Sequence, residues 1–332
     1  VTLHELAFDS MGTRVRLLAS DPERLPAARA EVERLAARLT RFDPGSELSL
    51  LNADPRAVVP ASADLRAAVT AALAGAALTG GLCDPTLLGA LERAGYARSR
   101  TGHPPARLAT ALRRAPRRHP AGPDPAQPWR RVRVDDERGT IARPPGLRLD
   151  LGGSAKGFIA DRAAALLAPA GPCAADCGGD IRVHGEHDIE VQSPFGGTCT
   201  TITLHDAAIA TSGIDTRLWH VDRRPGDDPR PGELVDRRRS RPGDPRAGVG
   251  DRAERQTERH HLIDPSTSAP AWTGVVAATA RAATAAQAEA LAKAALLRGP
   301  VAGPALLARH DGGVIVADDG TVILTDHVQA AA

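Results

Sequence analysis

Aromatic side chains are scarce in this chain: they make up 2% of its 332 residues. So few rings argue against a row of stacking platforms for single-stranded nucleic acid. Charge of one sign is missing as well. The formal net charge is +2, too small for a surface that neutralises a phosphate backbone, and the arginines are spread rather than clustered. Cysteine is limited to Cys83, Cys173, Cys177 and Cys199. None forms a C-x-x-C pair and no Cys/His spacing matches a zinc finger, so free thiols in a reducing compartment are the simplest account, with one disulfide as the alternative. No apolar run reaches the length that spans a bilayer. The opening stretch VTLHELAFDSMGTRV has no basic region followed by an apolar core, so the expected location is cytoplasmic. The length is sufficient to bury a sizeable core.

Against these absences stands one dense stretch, Asp150-Leu151-Gly152-Gly153-Ser154-Ala155-Lys156-Gly157. Three glycines surround a lysine between an apolar segment and a helical one. Glycines let a backbone come close to a ligand and turn its N–H groups toward an anion. The lysine adds a mobile positive charge, and a helix N-terminus a partial one. The combination describes a seat for phosphate. It is neither a G-x-x-x-x-G-K-[ST] loop nor a G-x-G-x-x-G fingerprint. The plainer reading is a tight strand-to-helix turn carrying an exposed lysine.

Periodicity organises the rest. Leu3 to Leu18 reads as two short strands about Gly12, and Pro26 to Leu39 and Asp64 to Ala77 as amphipathic helices. Ser46 to Ser49 is a capping segment, Gly80 to Thr86 a break, and Leu108 to Ala115 a short helix. Pro116 to Pro128 reads as a surface loop. Strands are expected at Arg131 to Val134 and Leu147 to Leu151, then a helix at Ile159 to Leu167. Cys173 to Val183 forms a strand-turn-strand, followed by strands at Asp188 to Gln192, Thr198 to Leu204 and Ala207 to Thr211. Further strands fall near Leu262 and at Val275 to Thr279, then a helix from Ala283 to Leu297 and strands near Val314 and Val322. Strands and helices do not alternate strictly, which favours an α+β fold with antiparallel sheet.

Residues 222–259 depart from this pattern. They are rich in Arg, Asp, Pro and Gly and nearly devoid of apolar side chains. Such a composition cannot bury enough surface to order itself, so the segment reads as a flexible insertion, either a solvated loop or a partner-binding arm.

Five polar or Gly-rich loops punctuate the chain: Ser49 to Asn52, Asp84-Pro85-Thr86, Asp150 to Gly157, Gly178-Gly179-Asp180 and His261 to Pro265. Each has a structural reading. Asn52 can cap a helix, Asp84-Pro85-Thr86 can be a turn, Gly178-Gly179 a hairpin corner, and His261 a half-buried core histidine. Their order is more telling than any one of them. Met11-Gly12-Thr13, Ser46-Glu47-Leu48-Ser49-Leu50-Leu51-Asn52, Cys83 to Thr86, Gly95-Tyr96, Asp150 to Asp161, Gly178 to Arg182, Ala210 to Gly213 and His261 to Pro270 follow one another. In that order they resemble the FAD:protein FMN transferases, the ApbE flavin transferases, from Met11 to about Gly299.

The resemblance implies a single α+β domain over residues 1–332, of T-fold type, with two lobes around a flavin cleft, acting as a monomer with no nucleic-acid or membrane partner. It implies FAD as substrate, Mg2+ on its diphosphate, and an acceptor flavoprotein whose Ser or Thr hydroxyl takes FMN as AMP leaves. The alternative is an FAD-binding protein or FAD pyrophosphatase that has lost or changed the transferase step. By the same resemblance, Met11, Ser49, Asn52, Leu82, Cys83, Asp84, Asp150, Lys156, Gly179, Asp180, Ser212, His261 and Leu262 hold the flavin nucleotide. His261 is the base for the incoming hydroxyl, and its ordinary pKa near neutrality suits that work.

The metal seat departs from the family pattern. It is expected at the Gly153 carbonyl and at an Asp and a Thr four residues apart on a late helix. Here those two places hold Glu289 and Lys293. The i,i+4 spacing keeps both on one face. Glutamate can still bind magnesium; a protonated lysine cannot. Three readings follow: Lys293 takes over the metal's work as a catalytic cation with Glu289 as its partner, metal and transfer are both lost, or the register slips and Lys293 is a surface residue. Ser268 also stands where the family has glycine.

Overall fold

The computed structural model describes residues 2–100, 102–222 and 256–325. It opens with the hairpin β1 (His4–Ser10) and β2 (Thr13–Ala19), closed by the Ser10–Thr13 pair. A two-residue turn between twisted strands needs positive φ at both positions. Met11 (φ 53°) and Gly12 (φ 70°) supply it, with strain at the methionine.

Helix α1 (Leu25–Leu39) follows, burying Leu25, Ala28, Val32, Leu35 and Leu39 at helical spacing. Ser46 caps α2 (Glu47–Ala53) by accepting from the Ser49 N–H. After β3 (Val58–Pro60), Ser62 caps α3 (Ala63–Leu78) in the same way. Then come α4 (Leu88–Arg93), α5 (Leu108–Arg114), β4 (Arg133–Asp135) and β5 (Thr140–Ala142). The Gly-rich loop leads into α6 (Ala155–Leu167), β6 (Cys173–Cys177), β7 (Asp180–His184), β8 (Glu186–Gln192), β9 (Thr198–His205) and β10 (Ala208–Gly213). The hairpin pairs β11 (Leu218–Asp222) with β12 (Gln256–His260) and β13 (Ile263–Asp264) with β14 (Ala269–Pro270) precede β15 (Val275–Ala282). The last described elements are α7 (Ala285–Ala308), β16 (Gly313–Ala317) and β17 (Val322–Leu324).

The main sheet is antiparallel throughout, in the order β1-β2-β6-β7-β10-β15-β16-β17. Period-two alternation divides its side chains. Leu17, Ala175, Ala210 and Ile315 face the large core under α1, α6 and α7. Leu18, Ala174, Ile209 and Val314 face a second core covered by the β8–β9 hairpin. This is the α+β architecture with antiparallel sheet that the order of elements predicts.

Several sequence expectations need correction. Leu147 to Leu151 is not a strand. Its backbone is satisfied by the Asn52 amide, which donates to the Leu149 carbonyl (2.8 Å) and accepts from the Leu149 N–H (2.7 Å), and by Asp150 N–H on the Pro85 carbonyl. Asn52 therefore takes the place of a sheet neighbour and caps no helix. The strand at Arg131 to Val134 shifts to Arg133–Asp135, because Pro128–Arg131 forms a 3-10 turn. The insertion narrows at both ends, since Asp222 and Gln256 to Glu258 belong to β11 and β12; its interior, 223–255, lies outside the described residues. The helix expected to end at Leu297 breaks at Gly299 (φ 79°) and resumes from Pro300, a residue suited to a first helical turn. This α7 is also long and apolar enough to cross a bilayer, against the expectation that no segment is. It is apolar nearly all round because it is the core helix of the sheet, packed on β10, β15 and β16. All four cysteines are free thiols. Ser268, in the family's glycine place, sits at φ 58°, a conformation glycine would hold without strain.

The crossing of α6 and α7 fixes the loop that precedes α6. A Cβ built on Gly157 would lie 2.5 Å from the Ala285 carbonyl oxygen, so only glycine allows the approach. Asp161 of α6 accepts from the Ala285 and Ala286 N–H groups (2.8 and 3.1 Å), and Glu289 of α7 accepts from the Gly157 N–H (3.0 Å). Each helix thus caps the other's first turn with a carboxylate. Replacing Gly157 with alanine is expected to overpack the crossing and cost about 1–3 kcal/mol, read as a lower urea midpoint; an unchanged midpoint would remove the close-approach role.

Candidate active site

Above that crossing lies a cavity of about 580 Å³. Its walls come from parts of the chain far apart in sequence: the Met11–Thr13 turn, Arg41 and Phe42, the Leu82–Asp84 stretch, Tyr96 and Arg100, the Gly-rich loop, the end of β10, and His261 to Ile263. Glu289 and Lys293 of α7 also line it.

One part of the wall is charged. The Lys156 ammonium bonds to the buried Asp180 carboxylate and stands 3.6 Å from Glu289 Oε1. Burial and the nearby Glu289 push the Asp180 carboxyl up against the pull of Lys156. The two carboxylates hold the Lys156 ammonium firmly charged, outweighing its desolvation. Lys293 Nζ donates to the Gly153 carbonyl at 3.0 Å. A Cβ on Gly153 would fall on that ammonium, deep inside van der Waals contact. Arg217 lines the same region, and its charge acts on both Lys156 and His261.

His261 feels all of these cations. Burial, then Arg217, His260, Lys293 and Lys156, hold its pKa well below the ordinary histidine value, so its ring is neutral. Its Nδ1 is buried with no hydrogen-bond partner among the described residues. Behind it, His260 is fully buried edge-on to Trp272, with ring centroids 4.8 Å apart, and burial pushes its pKa down to about 3.

Another part of the wall carries two aromatic rings, Phe42 and Tyr96, with Trp219 stacked behind Tyr96. The Arg41 guanidinium lies over Phe42 (4.2 Å) and Tyr96 (4.7 Å), and Tyr96 stacks on Trp219 (5.3 Å). Arg100 covers Trp219 at 4.6 Å. Arg41 is tied to Asp150 Oδ1 (2.7 Å) and donates to the Tyr96 carbonyl (2.7 Å). Such cation–ring stacks fix planar surfaces at the edge of a cavity. Asp84 Oδ1 accepts from the Thr86 N–H and hydroxyl (2.7 and 2.6 Å), while its buried Oδ2 has no partner among the described residues. That leaves an acceptor for a ligand donor.

Of the residues singled out in the sequence, the cavity wall contains Met11, Leu82, Asp84, Asp150, Gly153, Lys156, Ser212, His261, Leu262, Glu289 and Lys293. Ser49, Asn52, Cys83, Gly179 and Asp180 do not line it. The Ser49 N–H bonds the Ser46 cap, Asn52 holds Leu149, and the Cys83 thiol donates to the Ala290 carbonyl. The Gly179 N–H bonds Asp176, and Asp180 lies behind Lys156 as its counter-ion. Asp150 lines the wall with one oxygen already engaged by Arg41. Sequence reasoning missed Arg41, Phe42, Arg100 and Arg217. The only local hint was their closeness to the recognised blocks; Arg217, for instance, follows Gly213 by four residues.

The donors do not suit a divalent ion. The Gly153 carbonyl carries the Lys293 ammonium, and Glu289 is spent on Gly157 and Lys156 rather than on Lys293. Among the described residues no three His, Cys, Asp or Glu side chains gather as a metal site. The expected Gly153–Glu289 magnesium seat is thus replaced by an ammonium. One N–H of the helix N-terminus expected to help seat phosphate, that of Gly157, is likewise taken by Glu289.

The ApbE family matches residues 11–317, beyond the Gly299 limit read from the motifs. The FAD:protein FMN transferase of Chlamydia trachomatis is 29% identical over 221 residues; the match covers 62% of this chain and 65% of that relative's length. The crystal structure of the ApbE protein of Thermotoga maritima superposes with a TM-score of 0.71 at 25% identity, covering 98% of this chain and 97% of that one. The flavinyl transferase ApbE of Pseudomonas stutzeri, in its apo form, gives 0.68 at 18% identity over 98% and 95% of the two chains, which shows a shared fold.

Two outcomes follow from the site's electrostatics. Replacing Lys156 with methionine strands two buried carboxylates and is expected to cost about 3–5 kcal/mol of stability, measured by urea unfolding. The depressed folded-state pKa values of His260 and His261 mean that the unfolded chain takes up protons first as pH falls. Stability should therefore drop by about 1.4 kcal/mol per pH unit per histidine below roughly pH 6.5. For His260 the loss levels off near its folded value of about 3. Unfolding curves for the wild type and His260→Gln across this range check the slope; the variant should lose one histidine's part of it.

Proposed function

The chain belongs to the ApbE family, and we propose that it is an FAD:protein FMN transferase, moving FMN from FAD onto a Ser or Thr hydroxyl of an acceptor protein with release of AMP. One observation carries this reading: a single cavity joins an aromatic, arginine-braced wall to a cluster of three cations beside a neutral histidine. A flavin dinucleotide offers matching chemistry, a large aromatic ring at one place and a diphosphate at another. The name of the Chlamydia trachomatis relative points the same way.

Phosphoryl transfer asks a protein chiefly for positioning and charge neutralisation. Lys156, Lys293 and Arg217 supply positive charge where the diphosphate would lie. The hydroxyl oxygen attacks the flavin-side phosphorus, its bond to the bridging oxygen breaks, and AMP departs with the electron pair. The unprotonated nitrogen of His261 accepts the hydroxyl proton. Burial and the surrounding cations hold its pKa down. A bound diphosphate offsets those charges and makes the imidazole a better base at the moment it is needed. The Asp84 oxygen left without a partner is an acceptor for a flavin, ribose or adenine donor.

The decisive measurement is AMP release from FAD. Release only with an acceptor protein supports transfer. Release without one marks a pyrophosphatase, and tight yellow colour without AMP marks a carrier. His261→Ala should lower AMP release by about 10²–10⁴-fold while FAD still binds. The acidic limb of kcat/KM should lie below about pH 6.5, because it reports the free enzyme's depressed histidine. Undiminished transfer in His261→Ala would remove the residue from the mechanism.

A further inference from the structure

We propose that Lys293 is a tethered substitute for a divalent cation: its ammonium, seated on the Gly153 carbonyl, meets the diphosphate of FAD directly, so that binding and cleavage proceed without a metal ion. The inference rests on the flavin-transferase reading above.

Four observations converge on it. Lys293 Nζ donates to the Gly153 carbonyl at the centre of the Gly-rich loop and lines the cavity. The loop is shaped to that ammonium, because it occupies the space where any side chain at Gly153 would begin. The carboxylates nearby are committed elsewhere: Asp180 to Lys156, and Glu289 to Lys156 and the Gly157 N–H. Among the described residues none pairs with Lys293, so its charge remains available to an anion. Finally, a divalent ion taking up the same carbonyl would have to displace the ammonium or sit against it, with no set of three acidic or imidazole ligands among the described residues to offset the repulsion. An ammonium has three donors. One is used on Gly153, and the others can reach phosphate oxygens as charge-assisted bonds.

The test titrates FAD into the full chain by calorimetry, once with a chelator and once with excess Mg2+, and follows AMP release under both conditions. In the wild type the two affinities should agree within about twofold, and AMP release should persist in chelator. Lys293→Met should weaken FAD binding by about 10–100-fold in either buffer. Gly153→Ala keeps the charge but displaces it; the clash falls on the far end of a flexible side chain, so the fold tolerates it, and FAD should weaken comparably. That variant decides the matter if Lys293→Met does not fold. Lys293→Thr should recover part of the lost affinity only when Mg2+ is added. Paramagnetic titration of Mn2+ alone into the wild type should find no protein-bound ion.

A wild-type affinity that rises tenfold or more with Mg2+, AMP release that stops in chelator, Mn2+ bound to the wild type, or full FAD binding by both Lys293→Met and Gly153→Ala each overturns the proposal. Those results leave the transferase reading standing. FAD binding that depends on Lys293 and not on Mg2+, with no AMP formed in any condition, sinks the transferase reading and the metal-free cleavage step together, while the ammonium's place on the diphosphate stands. No FAD binding under any condition overturns both.

Discussion

The contact between Gly157 and the Ala285 carbonyl is the constraint on which the site depends. It lets α6 and α7 cross closely enough for each to present a carboxylate to the other's first turn. Asp161 takes two N–H groups of α7, and Glu289 takes one of α6. Orphan donors at a buried helix start are costly unless paired, and here the pairing is reciprocal. Burial pushes the Asp161 carboxyl up while the two N–H groups pull it down, a balance that holds only while both helices stay in place. The crossing thereby sets where Lys156, one residue before Gly157, and Lys293, one turn after Glu289, enter the cavity.

That arrangement changes what the Gly-rich loop is for. Read as sequence, Gly152, Gly153 and Gly157 form one phosphate seat. In the structure only the first two line the cavity, and Gly157 serves helix packing. Glu289 takes the Gly157 N–H of the helix N-terminus, so most of the positive charge offered to a ligand comes from side chains. Lys156 is a mixed case, since Asp180 and Glu289 hold it and balance much of its charge. Lys293 and Arg217 have no carboxylate at ion-pair distance among the described residues. The net preference for an anion therefore rests mainly on residues outside the loop that first suggested one.

The fold was legible wherever one segment carried its own periodicity. β1 and β2, α1, α3, α6, β6 and β7 follow directly from apolar spacing and from the turns at Gly12 and Gly178-Gly179. Illegible were pieces whose form is decided by a distant partner. Val58–Pro60 and Thr140–Ala142 are too short to show a period and become strands only by pairing, Thr140–Ala142 lying between Val58–Pro60 and Arg133–Asp135. Leu147 to Leu151 reads like a strand, but its neighbour is a side chain, Asn52. The site divides in the same way. Ordered motif blocks located His261, Lys156, Asp84 and Met11, because each lies inside a recognisable run. Arg41 and Arg217 were invisible, since an arginine in an arginine-rich chain means something only once its neighbours are known; Arg41 gains its meaning from Phe42, Tyr96 and Asp150 around it.

The two rings in the cavity wall, Phe42 and Tyr96, and the spare cations are consistent with one purpose. The chain's sole tyrosine, Tyr96, stands in the cavity wall between Phe42 and Trp219. Its one methionine, Met11, accepts left-handed strain to stand in the same wall. Strain of this kind costs of order 1–3 kcal/mol and persists only when the surroundings enforce it. Like charges gathered around the neutral His261 carry a further cost. Both costs fall at the same place, and a ligand with a flat ring and a diphosphate relieves the second while using the first. In the proposed function, a flavin dinucleotide bound to the folded chain stabilises it by mass action, and its charge restores to His261 the basicity that burial and the nearby cations suppress. On that proposal, binding and activation of the base are one electrostatic event, which keeps the proton acceptor weak until the phosphorus to be attacked is in place.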